Sequence, residues 1–560
     1  MKELFDKITQ NKNIAIYGNM RYCNDFKYVF QSVFDMSFSN IFFVQDPECI
    51  SCELQKICEQ YQLVIACIDE TAWSKIESGQ LTNVVWMEEL FELLDEKNVG
   101  WFDKVNPSDE HYRIPDNKKV ALWGLNKACN FFLQYQKNIV PECIFDRDLS
   151  KAGTYCGITV MSPDSIEDWS NYYVIIMCRD RYRVRDWLIS KGMKETEDFL
   201  FYGYYIDRLC ASEMMRKTIY APSKRKIDCA YPFSCARLEG DGSMSLCACE
   251  YIIAGNILQQ KAETIWNSVA ATIVRLSMIN QTYSFCDEYG CQLFDLGKLP
   301  ILEGNVDEDA YEREVSELPE IIWMNSSSLC NLYCEICRQE IRKNTNIQNE
   351  RNMEIAKKAI PLIKRGNSVL VAGNGEVFLD ASYQYILSRM EELYHEGLKW
   401  TILTNGNLMS REQVDYILKY GRNNTRIMVS VDAARKETYL KIRRGGNWEK
   451  LIENLKYVGK KRKEGYLTLF QLNFVVQSRN VKEMGEFVQL AESVGANVVW
   501  FTAIRNFGTY GINEFKQIDV RDENGNIKSE YRKHFEDPIL RSPIVKMGAL
   551  LTGKDSYIEI

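Results

Sequence analysis

The sequence predicts an α/β protein built on parallel sheets, and three observations carry that expectation. The N-terminal third contains an internal repeat, the C-terminal part alternates strand and helix patterns, and a loop with three cysteines follows the first strand of that alternation. At 560 residues the chain exceeds one ordinary core, and domain sizes of about 100–200 residues suggest roughly three to five units. Apolar residues at 46% and charged residues at 26% are ordinary for a soluble globular protein and argue against wholesale disorder.

The repeat comes first. Ile14-Ala15-Ile16-Tyr17-Gly18 followed by Cys23-Asn24 recurs as Val120-Ala121-Leu122-Trp123-Gly124 followed by Cys129-Asn130. Val64-Ile65-Ala66-Cys67 finds its echo in Ile175-Ile176-Met177-Cys178. A buried strand, a turn at glycine and a helix, repeated with further alternation, is the pattern of a parallel sheet. Residues 1–105 and 106–215 are therefore expected as two Rossmann-like units. Neither copy holds G-x-G-x-x-G, and the side chains after Gly18 and Gly124 are bulky, which argues against a dinucleotide site. A scaffold or substrate-docking role is the expectation for both. Cys49, Cys52 and Cys58 lie where the first unit should start a helix and read as ordinary thiols.

From residue 301 the alternation resumes. Strand candidates are Ile321–Asn325, Val369–Ala372, Trp400–Thr404, Arg426–Val431, Leu469–Val475 and Val498–Thr502, separated by amphipathic stretches such as Met353–Lys364. Six βα units fit a partial (β/α)6 barrel better than a closed eight-stranded one. After the first strand come Cys330, Cys334 and Cys337, a C-x3-C-x2-C array. An iron-sulfur cube held by three cysteines leaves one iron open to another ligand. A structural zinc site is the alternative.

Downstream segments add to this. Gly373-Asn374-Gly375-Glu376 follows the second strand, Thr404-Asn405-Gly406 ends the third and Ser430-Val431-Asp432 ends the fourth. Glycines allow close backbone approach, and a carboxylate beside them can accept hydrogen bonds from an ammonium group. With the cysteine array these motifs resemble the radical S-adenosylmethionine (SAM) superfamily. Asn374 and Val377 depart from that family's G-G-E-P pattern. The resemblance implies a partial barrel over 301–560 and a 4Fe-4S cluster on Cys330, Cys334 and Cys337. On that cluster SAM is bound and reductively cleaved to a 5'-deoxyadenosyl radical. It further implies SAM contacts from Gly373, Gly375, Glu376, Asn405, Ser430 and Arg443. An electron donor such as flavodoxin or ferredoxin is implied as partner.

The segment 216–300 carries a second set of cysteines. Cys229, Asp241-Gly242, Cys247, Gly255-Asn256, Trp266, Arg275 and Cys286-x4-Cys291 together resemble the SPASM or twitch extensions of radical SAM enzymes. That resemblance implies an auxiliary 4Fe-4S cluster on Cys229, Cys247, Cys286 and Cys291, with Cys235 and Cys249 left over, in a small domain placed before the barrel rather than after it. Zinc remains the other reading of these thiols.

Formal net charge is -8 and no long basic run occurs, so nucleic-acid binding is not expected. No apolar stretch reaches the length of a membrane span and no signal peptide is legible, which points to the cytoplasm. In a reducing compartment the 19 cysteines point to metal or free thiols rather than disulfides. Only His111, His395 and His534 are present, and none adjoins a cysteine motif, so a histidine-based triad or a histidine-rich zinc centre finds no support. Two substrate classes follow. The Rossmann-like units favour a sugar-type or other small molecule, oxidised or epimerised; the SPASM-like segment favours a ribosomal peptide or protein side chain. A non-catalytic docking protein that keeps a cluster for structure is a third reading.

Overall fold

The structure is a computed structural model. It describes residues 8, 13–76, 81–99, 114–136, 139–178, 181–202, 210–224, 229–247, 253–286, 291, 311–338, 340–371, 375–506, 509–522, 525–548 and 550.

Each N-terminal unit has its own sheet. In the first, β1 (Ile14–Gly18), β2 (Asn40–Phe43), β3 (Leu63–Cys67) and β4 (Val84–Trp86) run parallel in the order β2-β1-β3-β4. In the second, β5 (Lys119–Trp123), β6 (Cys143–Phe145), β7 (Gly153–Tyr155), β8 (Ile158–Met161), β9 (Tyr172–Ile176) and β10 (Phe199–Phe201) lie in the order β10-β9-β5-β6-β8-β7, with β7 antiparallel at the edge. Helices α1 (Met20–Phe34) and α2 (Met87–Val99) belong to the first unit, and α3 (Lys127–Tyr135) and α4 (Arg181–Ser190) to the second. Asn19 caps α1 by accepting from Arg21 N and Tyr22 N, and Asn126 caps α3 by accepting from Cys129 N. The glycine turn serves strand packing. A Cβ on Gly18 would stand 2.0 Å from the Cys67 carbonyl oxygen, so that close approach is spent on β3.

The third sheet holds ten strands in the order β13-β12-β11-β14-β15-β16-β17-β18-β19-β20. They are β11 (Cys235–Glu239), β12 (Ser243–Ser245), β13 (Ile253–Asn256), β14 (Ile321–Asn325), β15 (Ser368–Val371), β16 (Lys399–Thr404), β17 (Thr425–Ser430), β18 (Leu469–Val476), β19 (Val498–Ala503) and β20 (Val545–Met547). The run β14 to β19 is the expected partial barrel, each strand parallel to the next, and β20 adds a further parallel strand. Helices such as α7 (Asn346–Arg365), α8 (Arg411–Gly421), α9 (Trp448–Lys463) and α10 (Met484–Val494) cross between them.

The cysteine-bearing segment joins this sheet. β11 pairs parallel to β14, with Cys235 opposite Ile321 and Glu239 opposite Asn325, and β12 and β13 fold back antiparallel. Sheet hydrogen bonding thus runs across the expected boundary between 300 and 301. Behind it, α6 (Val269–Ile279) is buried at every residue and packs on α1, on α2 and on α5 (Ala211–Ile219). A helix buried on all faces belongs inside a core, and this one, with Arg275 donating to Pro232 O at 2.9 Å, ties the first unit to the middle segment. No described helix is long and apolar enough to cross a membrane.

Candidate active site

The cysteine loop leaves the C-terminal end of β14 and is pinned at its base. Ser327 N donates to Tyr383 Oη at 3.0 Å, and Ser327 Oγ donates to Asp380 Oδ2 at 2.5 Å. Cys330 and Cys334 are buried beside Leu332, with Cys337 half-buried against them. Each sulfur faces a donor. Leu332 N lies 3.4 Å and Asn405 Nδ2 3.8 Å from Cys330 Sγ, Arg443 Nη1 lies 3.7 Å from Cys334 Sγ, and Arg338 Nη2 lies 3.4 Å from Cys337 Sγ.

Burial pushes the Cys334 thiol up to about 11, with Arg443 opposing, and it raises Cys330, with Arg338 opposing. Ligation to iron removes that proton, so the buried thiols and the guanidiniums beside them suit an anionic cluster. Among the described residues, no group of three or more His, Cys, Asp and Glu side chains is drawn together as the ligands of one metal ion are. Three thiols on one loop, each beside a donor, are a donor set that suits an iron-sulfur cube with one iron left open.

The next loop locks onto the first. Glu376 N donates to Leu329 O at 2.7 Å. A Cβ on Gly375 would stand 2.3 Å from that same oxygen, so this contact requires glycine. The Glu376 carboxylate, 1% exposed, accepts from Thr404 Oγ1 at 2.5 Å, Asn405 N at 2.8 Å and Phe378 N at 3.2 Å. Desolvation raises its pKa, against those hydrogen bonds. Asn405 also donates from Nδ2 to Asn331 Oδ1 at 2.9 Å, so Glu376, Asn405 and Cys330 form one connected patch.

Ser430 ends β17 half-buried on the same sheet edge. Arg443 reaches the patch from the turn after helix Lys436–Ile442 and pairs at 2.6 Å with Asp432 Oδ2, whose carboxylate is fully buried. Gly373 lies outside the described residues. Asp432, Arg338 and Thr404 are the residues that sequence reasoning left unassigned. The S-x-D and T-N-G segments contained the first and last, whereas nothing in the pattern marked Arg338.

In the middle segment Cys229, Cys286 and Cys291 pack against Phe233, Met278, Ile279 and Tyr283. Burial pushes the Tyr231 hydroxyl far up, and the neighbouring thiols Cys235, Cys229, Cys247 and Cys291 add to the rise. Cys229, Cys247 and Cys291 thus lie near Tyr231, and Cys229, Cys286 and Cys291 near the Phe233 cluster. Cys235 sits within β11, where burial pushes its thiol up to about 12. Cys249 lies outside the described residues.

A run of parallel strands with three thiols after its first strand and a buried glutamate after its second is the part of the chain that a family comparison singles out. Residues 324–491 match the family model of the Radical SAM superfamily. That family uses a 4Fe-4S cluster and SAM, and the match takes in the loop with Cys330, Cys334 and Cys337. The chain is similar to a probable GTP 3',8-cyclase of Saccharolobus islandicus, 29% identical over 218 residues, which are 37% of this chain and 66% of that protein. A second probable GTP 3',8-cyclase, of Methanocaldococcus jannaschii, is 25% identical over 189 residues, 34% of this chain and 59% of that protein. The chain thus spans under two thirds of these curated relatives. Among solved structures, SuiB of Streptococcus suis bound to S-adenosylmethionine is 16% identical with a TM-score of 0.31, over 60% of this chain and 73% of that one.

Proposed function

We propose that this chain is an enzyme that holds a 4Fe-4S cluster on Cys330, Cys334 and Cys337 and uses it to cleave SAM reductively. The resulting radical abstracts a hydrogen atom from a C-H bond of a sugar-type or other small-molecule substrate, with net oxidation or epimerisation. The observation that carries this reading is the connected patch in which Asn405 reaches both the Glu376 carboxylate and the Cys330 thiol. Glu376 and Asn405 would hold the SAM amino group beside the open iron. Ser430 and Gly375 would line its approach, and Arg443, already balanced by Asp432, would face its carboxylate.

When bound, the cluster supplies the electron for cleavage, delivered by a flavodoxin- or ferredoxin-type donor in the cytoplasm. Cys229, Cys247, Cys286 and Cys291 would hold an auxiliary 4Fe-4S cluster. Two features favour a small molecule: the second Rossmann-like unit, which pairs with α7 through Arg185–Gln348 and Glu195–Arg351, and curated relatives named for a reaction of GTP. The cysteine-rich segment favours the second reading, a peptide or protein side chain.

Anaerobically reconstituted, reduced protein mixed with SAM should release 5'-deoxyadenosine, followed by chromatography. Cys334→Ala should abolish the release. Release at the wild-type rate from this variant would overturn the ligand assignment, and none from the wild type would favour a non-catalytic protein.

A further inference from the structure

The second Rossmann-like unit turns α4 towards the cluster loop, and a cavity of about 430 Å³ lies between them. Four guanidiniums line it. Arg147 comes from the loop after β6, Arg183 from α4, and Arg338 and Arg342 from the chain just past Cys337. Two carboxylates also line it, Asp186 and Glu340, and Asp186 is engaged by Arg185, whose Nε lies 2.8 Å from Oδ1. The lining is therefore cationic in a chain whose net charge is -8. Composition alone gives no reason for such a concentration.

Arg147 and Arg338 are held in place. Arg147 rests over the rings of Trp187 at 5.4 Å and Trp123 at 5.9 Å. Arg338, 4% exposed, donates from Nη1 to Ser328 O at 2.7 Å while its other nitrogen faces the Cys337 sulfur. Thr509, also on the wall, donates from Oγ1 to Ile336 O at 3.2 Å and fastens that side to the cluster loop. The inner wall thus stands one side chain from a cluster thiol.

Guanidinium groups present donors in a fork that matches phosphate oxygens, and several in one concavity raise the local concentration of anions. A volume of this size suits a small molecule. We infer that this cavity binds the phosphate or diphosphate group of a small substrate, of the phosphorylated or nucleotide-linked sugar class, with the carbon skeleton directed to the cluster. The role as a substrate site rests on the radical SAM reading above; binding of the anion does not.

The test is calorimetric titration of the full, anaerobically reconstituted chain with inorganic pyrophosphate and with uridine diphosphate. Wild-type protein should bind pyrophosphate with a dissociation constant below about 1 mM. The double variant Arg147→Gln/Arg183→Gln, one side chain exposed and one half-buried, should weaken binding at least about tenfold, consistent with loss of charge-assisted hydrogen bonds. Arg411→Gln, on a barrel helix and paired with Glu453, should leave it unchanged. Uridine diphosphate binding more tightly than pyrophosphate supports a nucleotide-linked substrate, and equal binding supports a phosphorylated one. No binding at millimolar concentration, or equal affinity in the double variant, overturns the inference. Binding that survives in a protein unable to cleave SAM retains the anion site and removes the enzyme reading.

Discussion

Gly375 is where two loops from different strands meet. Its missing side chain lets Glu376 N reach the Leu329 carbonyl just before the first cluster cysteine. Gly375→Ala should cost about 1–3 kcal/mol by overpacking and lower the iron retained after reconstitution, measured by thermal unfolding and iron assay. Unchanged iron content would separate this contact from cluster assembly. Positions such as Cys330, Glu376 and Asn405 were legible in the sequence because chemistry fixes their type and their spacing from a strand end. Arg338 was not, because an arginine beside a cysteine carries no pattern of its own, and neither was the pairing of Arg443 with Asp432, which only folding brings together. Asp432 also adopts a left-handed backbone, φ 60°, that no pattern announces.

Among the elements, α1 carries a buried carboxylate into the contact between the first unit and the middle segment. Asp25 accepts from Tyr311 Oη at 2.8 Å and Asn280 Nδ2 at 3.2 Å and faces Arg21 Nε at 3.6 Å. Burial outweighs these partners and moves its pKa from 3.8 to about 6. The folded state therefore holds the proton more tightly than the unfolded chain. The contribution is complete below about pH 4 and is lost as pH rises to about 6, by at most roughly 3 kcal/mol. Asp25→Asn should flatten the pH dependence of unfolding across that window, followed by chemical denaturation; an unchanged profile would assign the dependence elsewhere. Strands of the barrel were legible to within a residue or two because apolar runs of that length leave little choice. Helix α6 was not, since a helix buried on every face shows no amphipathic period to mark it.

At the scale of the whole molecule, two cysteine sets share one sheet. If both hold clusters, reconstituted protein should contain about eight irons per chain, and Cys247→Ser with Cys291→Ser should reduce this to about four while 5'-deoxyadenosine release persists. A wild-type value near four would remove the auxiliary cluster. Within the cysteine-rich segment β11 pairs with β14 at the edge of the barrel strands, a pairing that amphipathic patterns do not reveal because parallel partners need not be neighbours in sequence. That edge also has a consequence during synthesis. β11 leaves the ribosome well before β14, the strand that completes its hydrogen bonding, so for that interval the nascent chain presents an unpaired strand edge, the kind that seeds aggregation. Chaperone demand should be greatest while residues 240–320 are being translated.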